Sequence, residues 1–517
     1  MGEPEVSGRL CPVNPQLPAT VPLRDPDTVD ALGGILRERG YSSAGIDGLL
    51  GEEAGAALVS GIWWPALRAT RCAPAAQRPL ATLIRLFLLG SSEPEGVVAQ
   101  AFSPLSVATL VEQGVLAAVG DGYRAILDIR PHGSDQADFL VVSDQDALLR
   151  SGPLASDHVL GIGGASMSLA QAVIRTPVRR ALDLGTGCGI QAVHLDSHAD
   201  TIVATDTNPR ALALAAVTAR LNAMVWDLRA GSLFEPVAGE TFDLIVANPP
   251  FVVGAGSQDY IYRDSGIAGD GISRQLIEQV GAHLEPGGIA QLLANWIVHD
   301  VDDWQRRIGE WVRGTGLDAW VVQRELADPI SYVSLWVADA GESLDGAAER
   351  GADWLDWFER EQIVGIGMGL VTLRKPEIDR APDVVIEEIT AAGQEVTGFE
   401  AQSWWARRDY LRTTTDAELL GAALSTAPVF LESQSLPGAD GWQQVAAAVT
   451  RPGGPGAVLP VDEVMTALLA GCRGEVPLIT LIDLLADFHG VDAGALAEVT
   501  LPVVREALGR GILYAAQ

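Results

Sequence analysis

Apolar residues recur at helical spacing through Val29 to Leu36 and again through Ala54 to Leu67. Ahead of them lies a stretch of about 24 residues rich in proline and small side chains, which reads as a loosely held arm. From Pro79 the pattern runs helix (LATLIRLFLLG), helix (GVVAQAF) and helix (LSVATLVEQGVL), then two short strands around Asp121-Gly122, ending in the alternating AILDI. Three helices followed by an Asp-Gly hairpin is the order of a winged-helix module. A plain helical cap fits the same pattern equally well.

From about Arg179 to Lys375 the period changes to alternating strand and helix. The strand candidates are RALDL, TIVAT, FDLIVA, GGIAQLL, DAWVVQ and GLVTL, and such alternation predicts a doubly wound, mostly parallel sheet. The stretch from Asp339 to Ala352, rich in Gly, Ala and acids, reads as a surface insertion before the last strand. After Pro382 come a strand (VVIEEIT), a helix holding Trp404 and Trp405, a Gly/Pro linker at 451–456, and helices from Asp462 to Leu513. The last of these resemble the helical part of a second winged helix. The expected organisation is therefore α/β: a Rossmann-like domain over 151–382, flanked by mainly helical, winged-helix-like domains over 1–150 and 383–517.

Composition narrows the setting. Hydrophobic residues make up 48% of the 517, enough to bury sizeable cores. Cys11, Cys72, Cys188 and Cys472 are scattered without a C-x-x-C pair, which argues against a disulfide framework or zinc site and fits a reducing cytoplasm. The early acids Glu3 and Glu5 precede no apolar run, so no signal peptide is expected. Apolar stretches stop short of the roughly 20 residues a membrane span needs. The formal charge of −32 disfavours a nucleic-acid partner at long range without forbidding a local basic groove.

Candidate chemistry begins at Asp183-Leu184-Gly185-Thr186-Gly187-Cys188-Gly189, between an apolar strand and a helical run. Glycines there let backbone approach a ligand closely. The spacing is G-x-G-x-G rather than the G-x-G-x-x-G of nicotinamide enzymes, and an acid stands at the strand end. That suits S-adenosylmethionine, which has no pyrophosphate to place on a helix N-terminus. Asp183, Gly185, Thr186, Gly187 and Gly189 are thus cofactor candidates. Asp206, 21 residues after Gly185, is placed to accept ribose hydroxyls, although it also suits a helix N-cap before Pro209. Ser232 and Leu233, in the turn GSLF, are candidates for the adenine end.

The decisive segment is Asn248-Pro249-Pro250-Phe251, directly after FDLIVA. Two prolines fix the backbone, supply no N–H donors and leave their carbonyls as acceptors. The Asn248 side-chain oxygen and the Pro249 carbonyl then take the two hydrogens of a target –NH2, whose lone pair is aimed at the sulfonium methyl. Phe251 covers one face of the planar group. Asn248 also borders the cofactor. Tyr260, Tyr262 and Arg263 follow in a Gly-rich loop that reads as substrate-facing.

Taken in order, DLGTGCG, TDTNPRAL, GSLFEP and FDLIVANPPF resemble the class I amino-methyltransferases, above all the HemK-type release-factor glutamine methyltransferases. The stretch DGISRQLIEQVGAHLEPGGIAQLL resembles the same family, and the likeness covers about residues 155–300. It implies cofactor roles for Asp183, Gly185, Gly187 and Asp206, and amide binding by Asn248 to Phe251. Three features depart from that family. N-P-P-F replaces the usual N-P-P-Y and resembles the ribosomal RNA guanine-amine methyltransferases, Ser232 replaces an acid, and region 383–517 is additional.

The expected activity is methylation of a planar nitrogen, foremost a glutamine-type amide in a protein or peptide partner. Two alternatives are an RNA base amine, which the acidity disfavours, and a cofactor-binding interaction protein without catalysis, which the intact N-P-P-F opposes. No metal and no membrane partner is expected. His194 and His198, four apart, have metal-compatible spacing, but no carboxylate or thiol cluster accompanies them, and they read as surface residues. Cys188 reads as a small packing residue. The tryptophans, including Trp63-Trp64, Trp354, Trp357 and Trp404-Trp405, read as core or domain-contact residues, with a base platform the lesser option.

Overall fold

A computed structural model describes residues 21–133, 138–146, 149, 154–256, 261, 263–339, 344–390, 394–438 and 441–515. The chain divides into two units. One holds the described residues up to Ala170 together with Thr176–Ala319 and Leu326–Val384, and the other holds Gln171–Arg175, Trp320–Glu325 and the chain from Val385 on.

The first unit opens with α1 (Pro26–Glu38), α2 (Ser43–Val59), α3 (Trp64–Arg71) and α4 (Arg78–Phe87). Next come β1 (Glu93–Pro94), α5 (Glu95–Phe102), α6 (Val107–Glu112), β2 (Leu116–Val119) and β3 (Gly122–Ala125). The strands pair antiparallel in the order β1-β3-β2 beside the helices α4, α5 and α6. Val21 and Leu23, assigned from sequence to the loose arm, are buried, and Leu23 N–H bonds the Gln113 carbonyl at 2.7 Å. The hairpin β4 (Leu127–Gly133) and β5 (Asp138–Asp144) follows.

The central part runs α7 (Gly164–Ala172), β6 (Val178–Leu184), α8 (Ile190–Leu195), β7 (Ala199–Asp206), α9 (Pro209–Leu221), β8 (Asp227–Ala230) and β9 (Phe242–Ala247). It continues through α10 (Gly271–Val280), β10 (Leu284–Val298), α11 (Gln305–Arg313), β11 (Asp318–Ala327), α12 (Pro329–Asp339), α13 (Leu344–Arg360), β12 (Gly365–Arg374) and β13 (Val384–Glu388). These strands form one sheet in the order β13-β11-β12-β10-β9-β6-β7-β8. β8, β7, β6, β9 and β10 pair in parallel, and β12 pairs antiparallel to β10. The central parallel strands β6, β7 and β9 end in mainly apolar runs because both faces are covered there; Leu182, Val203 and Ile245 are all buried.

The two stretches expected as separate domains on either side of residue 150 share a core. Leu32, Leu36 and Val142 pack in one cluster with Leu214, Val217 and Leu221 of α9. Polar contacts reinforce it: Arg210 forks onto Asp144 at 2.5 and 2.9 Å, and Thr218 Oγ accepts the Val142 N–H at 3.1 Å.

The Gly/Ala/acid stretch expected as a surface insertion supplies, from Leu344, the first half of helix α13. Alanine and glutamate favour helix, and Trp354, Leu355 and Phe358 give it an apolar face packed against Tyr332 and Val333 of α12.

In the second unit come α14 (Gly398–Thr413), α15 (Asp416–Gly421), β14 (Ala423–Thr426), β15 (Phe430–Gly438), β16 (Gly441–Thr450) and β17 (Val458–Pro460). After them stand α16 (Glu463–Gly471), β18 (Arg473–Pro477), α17 (Leu478–His489), α18 (Ala493–Gly509) and β19 (Leu513–Ala515). The order helix, strand, helix, helix, strand of α16 to β19 repeats that of α4 to β2. The middle strand of the β18-β14-β19 sheet, however, comes from earlier in the chain. Residues 451–456, expected as a Gly/Pro linker within this region, form the turn joining β16 to β17, closed by Arg510 onto the Gly456 and Val458 carbonyls, each at 2.7 Å. Trp404 is buried as expected and stacks on Trp320 at 5.0 Å.

Candidate active site

The site is built where three neighbouring strands end. In register, Leu184 of β6 stands opposite Thr205 of β7 and Ala247 of β9. The glycine loop, Asp206 and Asn248 therefore leave the sheet side by side at its carboxyl edge. β6 and β9 also flank the point where strand order reverses, the usual place for a ligand crevice.

The loop after β6 is fixed by backbone bonds. Gly185 and Thr186 N–H groups both reach the Thr205 carbonyl at 2.9 Å. Gly185, Gly187 and Gly189 have φ of 76°, 55° and 86°, the left-handed region that disfavours side chains. A Cβ on Gly189 would strike Trp226 at 2.7 Å, whereas one on Gly187 would project into open space. Gly187 is thus the point where bare backbone faces the crevice.

Asp183 does not face that crevice. It is buried, and its Oδ2 accepts both the Thr186 hydroxyl at 2.6 Å and the Ala192 N–H at 3.0 Å. Burial pushes its carboxyl up to about 7 against the lowering effect of those two bonds. Its place in the structure is to tie the glycine loop to α8. Cys188 is buried as well, and desolvation pushes its thiol up to about 12, which leaves it unreactive.

Asp206 is half-buried, and its two carboxylate oxygens accept one N–H each, from Gly187 at 2.9 Å and Asn208 at 2.8 Å. The N-cap of α9 is Asn208, whose side chain accepts the Arg210 N–H, so Asp206 is not used as a cap. A carboxylate has about four acceptor positions, which leaves room for a diol. Burial raises its pKa. After β8, Gly231 N–H bonds the Asp206 carbonyl at 3.1 Å, with Ser232 exposed and Leu233 half-buried at a φ of 48°. The residues present fit an adenosine-bearing ligand: bare glycine backbone, an anchored acid and a turn beyond the next strand.

On the other flank, the Asn248 side-chain amide donates to Ser166 Oγ of α7 at 3.2 Å, which leaves Oδ1 as the available acceptor. The Asn248 carbonyl lies 3.8 Å from where a Gly185 Cβ would stand, so the two loops nearly touch. Pro249 is buried, and Pro250 and Phe251 are half-buried. Phe251 meets Trp336 of α12 edge to face at 6.3 Å. Beyond it, Val253 N–H bonds Tyr332 Oη at 2.9 Å, and the Val253 carbonyl accepts Trp354 Nε1 at 3.0 Å.

Arg263, expected to face substrate, is 2% exposed and donates to the Trp336 carbonyl at 2.7 Å. It fastens the loop to α12 instead. Tyr260 and Tyr262 lie outside the described residues.

Residues 161–300 match the family model described as methyltransferase small domain. Over this segment the chain is similar to the methyltransferase small domains. S-adenosylmethionine is the cofactor that fits its glycine loop and Asp206. Residues 38–126 and 402–515, on either side of the methyltransferase domain, each match a family described as a domain of unknown function.

The chain is 34% identical over 137 residues to a release factor glutamine methyltransferase of Geobacter sulfurreducens, covering 23% of this chain and 48% of that one. It is 29% identical over 116 residues to a ribosomal RNA small subunit methyltransferase C of Alcanivorax borkumensis, covering 22% and 32%. To a ribosomal protein uL3 glutamine methyltransferase of Xanthomonas campestris it is 37% identical over 125 residues, covering 22% and 40%. The match thus spans half or less of the length of these relatives.

Sequence reasoning missed Ser166, Tyr332 and Trp336 in the methyltransferase domain's site. Ser166 follows a Gly-rich run, and Tyr332 and Trp336 are four apart on one helix. These were the only local hints.

The histidine reading needs correction. α8 ends at Leu195, so His198 lies beyond the helix that carries His194. His194 is buried, with its Nε2 2.9 Å from His132 Nε2. Among the described residues no cluster of three His, Cys, Asp or Glu is grouped to hold a metal, and no helix is long and apolar enough to cross a membrane.

Proposed function

We propose that this protein is an S-adenosylmethionine-dependent methyltransferase that acts on a planar nitrogen bearing two hydrogens, first of all a glutamine-type amide in a protein or peptide of the cytoplasm. The observation that carries the reading is the Asn248–Ser166 contact beside the glycine loop. When bound, S-adenosylmethionine supplies an electrophilic methyl group. Asn248 Oδ1 and the Pro249 carbonyl accept the two hydrogens of the acceptor –NH2. The prolines hold these oxygens in place before the acceptor arrives, so little reorganisation accompanies the reaction. Phe251, braced by Trp336, lies against the planar group and keeps water from that side.

A second reading, transfer to an exocyclic amine of an RNA base, is favoured by phenylalanine at position 251 and by the ribosomal RNA relatives. Tritiated-methyl S-adenosylmethionine incubated with the protein and a cell extract, then split by protease and by nuclease, decides between them. Label lost to protease supports the amide reading, and label lost to nuclease supports the base amine. Label in neither fraction, or equal label with Asn248→Ala, overturns both.

A further inference from the structure

The corner between α2 and α3 departs from the rest of this acidic chain. From Ala54 to Ser92 there is no aspartate or glutamate, while Arg68, Arg71, Arg78 and Arg85 fall within it, in a protein of net charge −32. Arg85 is taken up by Glu93 at 2.5 Å. Arg68, Arg71 and Arg78 are exposed and form no ion pair among the described residues.

Sequence reading placed Trp63 and Trp64 in a core or contact, but they are 54% and 61% exposed, and Ile62 beside them is exposed too. The reason lies in the geometry of α3. Ala66 and Thr70 turn inward, which carries Trp64, Arg68 and Arg71, spaced i, i+4 and i+7, onto the outer face. Two adjacent indoles therefore head a stripe of unpaired guanidinium groups.

We infer that this corner docks single-stranded RNA. Indole faces stack unpaired bases of any sequence, and arginines beside them neutralise the phosphates. A duplex hides its base faces and has nothing to offer Trp63 and Trp64. Overall acidity does not prevent the contact, because exposed charges beyond about 8 Å are screened at physiological salt. It orients the contact instead: an anionic strand is repelled by the rest of the surface and meets unpaired cations here. Glu52 and Glu53, exposed on α2, mark the acidic border of the corner. The inference stands apart from the methyl acceptor, since a protein acceptor within a ribonucleoprotein would use the same dock.

The test is fluorescence anisotropy with the full chain and a labelled single-stranded RNA of about a dozen nucleotides. Salt is varied from about 50 to about 200 mM, with the matching duplex and a polyglutamate peptide as competitors. The wild type should bind the single strand and be displaced poorly by either competitor. The Trp63→Ala/Trp64→Ala variant should bind roughly tenfold or more weakly with little change in salt dependence. Arg68→Gln/Arg71→Gln should lower the log–log salt slope by about 1.4, roughly 0.7 for each phosphate no longer neutralised.

All four side chains are exposed, so the variants should melt with the wild type. No binding by the wild type, equal binding by the tryptophan variant, or equal displacement by the duplex would overturn the inference. Displacement by polyglutamate as effective as by RNA would instead assign the corner to an acidic protein. None of these results bears on whether the methyltransferase site acts as proposed.

Discussion

Asn248 and Ser166 meet across 3.2 Å, side-chain amide to hydroxyl oxygen, although 82 residues separate them. Ser166 of α7 thus engages the donor end of the asparagine and leaves its carbonyl oxygen to accept. An asparagine free to flip would offer an N–H to an incoming –NH2 for half of its orientations. Ser166 is therefore a positioning residue. Ser166→Ala should lower kcat about fivefold, in line with a neutral hydrogen bond of about 1 kcal/mol, and leave cofactor affinity unchanged. Ser166→Thr, which keeps the hydroxyl, should recover most of the loss. A Ser166→Ala enzyme with normal kcat, or one whose defect lies wholly in cofactor binding, would remove this role.

Asp206 and Asn248 separate binding from turnover. Asp206 is anchored by the Gly187 and Asn208 N–H groups and is assigned the ribose hydroxyls. Asp206→Ala should weaken S-adenosylmethionine binding by on the order of 2–3 kcal/mol, through the absence of charge-assisted bonds and a loosened glycine loop. Asn248→Ala should reduce turnover by roughly a hundredfold or more, because its bonds strengthen as the nitrogen gives up conjugation, and cofactor affinity should barely move. Calorimetry and kinetics on both variants form a crossed test. Unchanged affinity in the first, or near-normal turnover in the second, refutes the corresponding assignment.

What was legible in the sequence is what is local. The strands RALDL, TIVAT and FDLIVA, the glycine loop and Asn248-Pro249-Pro250-Phe251 announce themselves within a few residues. Their order along the chain implied the sheet that holds them. What was hidden depends on distant partners. His194 resembled a surface residue because His132, which covers it, lies 62 positions earlier. Val253 gave no sign of resting on Tyr332, 79 positions later. The exposed ribbon of β15 and β16 was missed for another reason. Ser, Gln, Gly and Ala along it carry no alternation, since neither face of that hairpin packs on a core over most of its length.

Tyr332 anchors the far end of the loop that follows β9. Its oxygen accepts both the Val253 N–H at 2.9 Å and Asn295 Nδ2 at 3.0 Å, and the ring is fully buried. Burial pushes the phenol up to about 12, so it is neutral at any working pH. Tyr332→Phe leaves two buried donors without an acceptor, at a cost of about 1–3 kcal/mol. Thermal unfolding should begin several degrees lower, and methyl transfer should fall although no group touching the acceptor has changed. An unaltered melting curve would mean that the two donors find other partners.

Asp183 should leave its mark on the pH dependence of stability. Its carboxyl moves from an ordinary 3.8 to about 7 on folding, chiefly through burial. Between those values the folded protein holds a proton that the unfolded chain has released. Stability from this group therefore falls as pH rises from about 4 to about 7 and is flat beyond, with a slope of up to 1.4 kcal/mol per pH unit. Asp183→Asn abolishes that slope while keeping the contacts, because one oxygen alone, Oδ2, serves both Thr186 and Ala192. Asp128, buried beside Arg130 and raised to about 6, titrates in both proteins and cancels in the comparison. Urea midpoints measured from about pH 4 to about pH 8 should show the variant gaining on the wild type as pH rises, then running parallel above about 7. Curves parallel throughout, or a variant that loses ground with rising pH, would show that Asp183 is ionised in the folded protein across this range.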